Sequence, residues 1–228
     1  MTSQRSQLKN TIELEKREWP PDENKYFLPR SIIDALIDKD SVQETLRTEM
    51  SKNSVQDIRR YTSCVLRSSK ILFTIFLCMS DLDMSVLGNL LDEGIRDRHL
   101  PFSRVPKPIF SASNHNGYRL GKVDHENCSR GDHKDCDIKS LSDLDQPAIR
   151  QFCERQWLAL APIFELSSSA VRHYNFAPGT IMPFLEGEAL RSGGFGEVWK
   201  VRIHPAHQKL LKSATPEVSH IFIRGLFS

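Results

Sequence analysis

The chain contains no apolar run approaching the roughly twenty residues of a membrane-spanning helix. Its most apolar block, Ile71 to Met79 (ILFTIFLCM), is about half that length and predicts a buried helix. The opening residues, MTSQRSQLKNTIELEKREWPPDENKYF, lack the apolar centre of a secretory signal, and their acids are foreign to an organelle transit peptide. An intracellular chain, cytoplasmic or nuclear and without a membrane anchor, is expected. Charge of one sign is lacking too: 31 Lys+Arg against 29 Asp+Glu leave a formal net charge of +2. That balance carries neither a strong nucleic-acid footprint nor an acidic tail. Cysteine is sparse, with Cys64, Cys78, Cys128, Cys136 and Cys153 forming an odd set at irregular spacing, which fits reduced thiols. There is no internal repeat, no G-x-S-x-G elbow and no cysteine-nucleophile signature, so no catalytic role falls to any of the eight histidines.

What is present is an ordinary globular composition, 39% apolar and 26% charged over 228 residues, enough for one domain or two small ones. Residues 1–29 read as a charged, disordered leader broken by Pro20-Pro21. Residues 30–99 read as a helical domain. A short helix starts at Ser31, a second at Ser41 with Glu44 in capping-box spacing, and a long central one at Ser54 that runs through the apolar block to about Met79. A fourth, in DLDMSVLGNLLDEGI, stops at Gly94. Residues 100–144 are rich in Pro, Ser, Asn, Asp and Gly without a period and read as an irregular linker. Residues 145–180 hold a helix opened by Pro147, with Ile149, Phe152, Cys153 and Trp157 on one face, followed by extended chain. Residues 181–228 read as strands over about Met182–Leu190, Phe195–Ile203 and Ser219–Leu226. The fold class expected is α+β: a helical N-terminal bundle followed by an incomplete antiparallel sheet.

Between the first two strands lies LRSGGFGEVWKV, Leu190 to Val201. Glycines let backbone amides approach phosphate oxygens, and an aromatic at the tip can cover them. A Walker loop would need Gly-Lys-Ser/Thr, and a dinucleotide fingerprint would need a helix where EVWKVRI predicts a strand. The stretch resembles the protein-kinase glycine loop, L-G-x-G-x-F-G-x-V, at Leu190, Gly193, Phe195, Gly196, Val198 and the following Val201, with Arg191 in place of the first glycine. HIFIRGL places Arg224 at the position of the phosphate-holding lysine; Lys209 and Lys212 are candidates in another register. RDRHLPF, FCERQWLALAPIFE and HYNFAPGTIMPFLEGEAL are similar to the region preceding the kinase domain in a group of fungal serine/threonine kinases. The resemblance implies an N-lobe start truncated before the catalytic and metal-binding motifs, with ATP contacted by Leu190, Gly193, Gly194, Phe195, Gly196, Val198 and Arg224. It implies weak or vestigial ATP binding, no magnesium and no kinase activity from these residues alone.

Three other readings stay open. The glycine turn is also compatible with a structural hairpin, and Arg224 with a solvated charge on an edge strand. The helical region is also compatible with a non-enzymatic module that binds another protein. His125, Cys128, His133 and Cys136, spaced H-x2-C-x4-H-x2-C, offer imidazole and thiolate for tetrahedral zinc, or simply belong to a polar connector.

Overall fold

The computed structural model describes residues 3–19, 24–79, 81–106, 118–122, 138–165, 174, 176–193, 196–209 and 220–225, with 106, 191–193, 196–197 and 220–225 as backbone. The fold is α+β. In chain order come α1 (Gln4–Glu15), β1 (Arg17–Glu18), β2 (Tyr26–Phe27), α2 (Arg30–Leu36), α3 (Lys39–Glu49) and α4 (Val55–Ser68). These are followed by α5 (Lys70–Cys78), α6 (Met84–Asp92), β3 (Phe102–Pro106), β4 (Tyr118–Lys122) and α7 (Gln146–Ala159). Then come β5 (Phe164–Glu165), β6 (Phe184–Gly193), β7 (Gly196–Ile203), β8 (Gln208–Lys209) and β9 (His220–Gly225). No single helix among the described residues is long and apolar enough to cross a membrane.

The chain divides into two compact units: Met1–Glu13 with Ile33–Gln156, and Leu14–Ile32 with Trp157–Ser228. The first unit is built on the helices. The leader expected to be disordered is instead helical, because Arg5, Leu8 and Ile12 recur on one face of α1 and are buried. Arg5 donates from Nη2 to the carbonyls of Phe76 (3.0 Å), Met79 (2.7 Å) and Leu82 (2.8 Å), and from Nη1 to Glu49 Oε2 at 3.0 Å. Those carbonyls belong to the end of α5 and the turn after it, where the Phe76 and Met79 oxygens also accept from the Met79 and Leu82 amides.

Ser54 caps α4 by accepting from the Asp57 amide, as its spacing predicts. The single long helix expected from Ser54 to Met79 is, however, two helices. The chain leaves helical geometry at Ser69, and α4 and α5 meet at 108°. Asp97 makes the break possible: its carboxylate accepts from the amides of Ile71 at 3.1 Å and Leu72 at 2.8 Å, which the kink would otherwise orphan. The bend lets Leu72, Phe73 and Ile75 through Cys78 all be buried. The second helix also starts earlier than expected. Asp38 caps α3 and Ser41 closes the box, while Glu44 pairs with Arg47 at 3.0 Å. At Gly94, φ is +83°, and the amides of Gly94 and Ile95 return to the carbonyls of Leu91 (3.3 Å) and Leu90 (2.9 Å), ending α6 as predicted.

The segment read as an irregular linker contains the antiparallel pair β3–β4, with Phe102 opposite Lys122 and Pro106 opposite Tyr118. Gln156, 1% exposed, docks β3 by accepting from the Phe102 amide (2.8 Å) and donating to its carbonyl (2.9 Å). Phe102 also stacks on Phe152 at 5.2 Å, and Phe152 meets Phe76 edge-on at 6.3 Å. Ile149 and Phe152 of α7 are buried, and Cys153 is partly so.

The second unit carries the three-stranded sheet β6–β7–β9. Its observed strands begin and end within about three residues of the stretches expected from sequence, the uncertainty normal for element ends. Val201 and Ile203 project into a core with Trp19, Phe27, Phe164, Ile181 and Phe184, against which Trp157 and Trp199 pack. Strand β2 and the residue that follows β1 therefore supply Phe27 and Trp19 to a core whose other members come from the far end of the chain. A short parallel pair, β5 with β8, completes the unit.

Candidate functional site

Strands β6 and β7 run antiparallel and close on the pair Gly193–Gly196. Moving away from the turn, Ser192 faces Glu197, Arg191 faces Val198, and Ala189 faces Trp199. Leu190 is skipped by the ladder, a bulge between Ala189 and Arg191, and its side chain is 42% exposed. Such a bulge adds local twist and re-aims the strand, a feature common beside binding sites.

Strand alternation assigns the two faces of β7. Trp199, Val201 and Ile203 lie toward the core cluster, while Val198, Lys200 and Arg202 occupy the alternate positions and are half-buried. Opposite charges confront each other across the ladder: Glu186 faces Arg202 and forms an ion pair with it, and Glu188 faces Lys200. On the other side of β7, β9 pairs Val198 with Arg224 and Lys200 with Phe222. Thus Gly193 with Gly196, and Val198 with Arg224, are brought into direct register.

The remaining sequence candidates are elsewhere. Gly194 and Phe195 lie outside the described residues, as do Lys212 and all four zinc candidates, His125, Cys128, His133 and Cys136. Among the described residues no group of three or more His, Cys, Asp or Glu is placed to hold a metal. Lys209 is in β8, tied to Glu165 Oε1 at 2.8 Å, and does not belong to the three-stranded sheet.

Sequence reasoning passed over His207, which is 2% exposed in the second unit. Its Nε2 accepts from the Arg30 amide at 2.9 Å, so Nδ1 carries the proton and donates to the Pro162 carbonyl at 3.0 Å. Burial pushes its pKa down to about 4. Phe27 meets it edge-on at 5.6 Å. The group is a neutral clasp between backbone segments, and an isolated histidine in sequence gives no signal of it.

No protein-family model, curated protein or solved structure matches this chain.

Proposed function

We propose that the β6–β7–β9 sheet is a phosphate-covering hairpin of the protein-kinase type, which contacts a nucleotide such as ATP. The observation that carries the reading is the register: a two-residue link closed by Gly193 and Gly196, a bulge at Leu190 at its base, and Val198 directly beside Arg224. In this reading Leu190 and Val198 contact the base, the turn covers the phosphates, and Arg224 on the neighbouring strand supplies a guanidinium. Arg191 stands where the kinase loop has its first glycine, and an arginine at position 224 is a planar fork where a lysine would be a compact charge, so weak binding is expected. The 228 residues contain neither H-R-D nor D-F-G. Phosphoryl transfer depends on metal and base groups from those motifs, so the activity proposed is nucleotide contact without transfer. Membership of the serine/threonine kinase family and an intracellular location are parts of the same proposal.

Calorimetric titration of the full chain with ATP tests it, paired with Trp199 emission in a Trp19→Phe, Trp157→Phe background. Saturable binding that survives EDTA and falls at least tenfold in Gly193→Val is the expected result; no heat at millimolar ATP would refute it. The second reading, a module that binds another protein, is favoured by one observation in the helical unit, an unpartnered cationic groove.

A further inference from the structure

The groove lies between α3 and α4. Arg59, Thr62, Ser63, Leu66 and Arg67 recur at helical spacing on one side of α4, facing Lys39 and Gln43 of α3 across a cavity of about 460 Å³. Three cations line it and no carboxylate does. Several other cations of this unit are matched: Arg47 with Glu44, Arg60 with Asp57 and Asp92, and Lys70 with Asp34. Lys39, Arg59 and Arg67 have no ion pair or hydrogen-bonded side-chain partner among the described residues. Gln43 is also shared with an adjoining depression of about 550 Å³ whose charged lining is Asp38, Asp40, Glu44 and Arg47; Glu44 and Arg47 pair with each other, so the acidic excess there comes from Asp38 and Asp40. One amide therefore separates a basic groove from an acidic one.

Size and polarity select the occupant. The backbone positions of Arg59 and Arg67 are two helical turns apart, about 12 Å along the axis, so a ligand laid along α4 can engage both. An extended peptide sets residues four apart on one face at about 13 Å, which matches. A nucleic-acid strand could also span the distance, but its charge continues in both directions and would run into Asp38 and Asp40. Only a chain that changes sign along its length complements both grooves.

We propose that the α3–α4 groove binds an extended segment of a partner protein, its acidic residues on Lys39, Arg59 and Arg67 and its basic residues on Asp38 and Asp40. The site is independent of the nucleotide reading, which concerns the other unit. Leu66 gives the occupant an apolar contact between the charges, and Gln43 can bond its backbone.

Selection of a random peptide display library on the full chain tests the proposal, followed by titration of the enriched peptides. Enrichment of peptides joining an acidic to a basic stretch is expected, with affinity lost at least tenfold in Arg59→Glu/Arg67→Glu and kept in Lys52→Glu, which makes the same type of change outside the groove. Arg59 and Arg67 are exposed, so unchanged melting should accompany the loss; Arg59→Gln/Arg67→Gln serves if charge reversal lowers it. Enriched peptides without acids, equal binding to the double variant, or failure to enrich any peptide would overturn the proposal. Displacement of the peptides by a nucleic-acid strand that binds more tightly through the same arginines would overturn it in favour of that ligand.

Discussion

His207 shows how one buried side chain can tie pH to stability. The folded state holds it neutral, with a pKa near 4 against an ordinary 6.5, because burial disfavours the charged ring and Nε2 is already accepting from Arg30. The unfolded chain takes up this proton at higher pH than the folded one. The contribution is therefore complete above about pH 6.5 and lost as pH falls towards about 4, at up to roughly 1.4 kcal/mol per pH unit. Denaturant unfolding followed by tryptophan emission should show a loss of about 2 kcal/mol between about pH 7 and about pH 5, and a flatter slope in His207→Gln. Arg5 is the comparable residue of the helical unit. Arg5→Met would remove the guanidinium from three carbonyls, of which those of Phe76 and Met79 keep amide donors, and from the Glu49 carboxylate, and should cost about 3 kcal/mol in thermal or denaturant unfolding. Arg5→Lys should recover only part of that, since one ammonium cannot reproduce the fork.

At the scale of elements, start and stop signals that act within a few residues were readable. Ser54 caps α4, Gly94 ends α6, and the three long strands fall where alternation and turn residues put them. The kink at Ser69 was not readable, because the acceptor that makes it tolerable, Asp97, lies 25 or 26 residues beyond the amides it caps. Asp97→Ala should cost about 1–2 kcal/mol and speed hydrogen exchange at the Ile71 and Leu72 amides. The Ser41–Glu44 spacing misled for a related reason: Asp38 offers an equivalent box one turn earlier, and Glu44 has Arg47 as partner. The turn before β6 depends on Gly179, whose φ is +96° and where a Cβ would lie 2.9 Å from the Trp157 indole. Gly179→Ala should destabilise the second unit by more than about 1 kcal/mol and shift Trp157 emission.

At the scale of the whole molecule, each unit is assembled from stretches far apart in sequence. Residues 14–32 give Trp19 and Phe27 to the core beneath β6 and β7, and Arg30 joins His207 across 177 positions. Phe27→Ala should cost about 3–5 kcal/mol and speed exchange in β6 and β7, while Leu46→Ala should act on α3 to α5. Protection that fell together in both units for either substitution would contradict the division. The glycine turn was legible as a local pattern, and its flanking register followed from strands a few residues apart. The cationic groove was not legible, because Lys39 becomes a neighbour of Arg59 and Arg67 only when α3 packs on α4. The sequence by itself determined helix periodicity, most caps and stops, and the hairpin, since those rest on contacts within one or two turns of chain. Tertiary structure alone decided that α1 packs, that the central helix breaks, and which charges pair among the described residues, because each depends on groups that only the packed chain brings together.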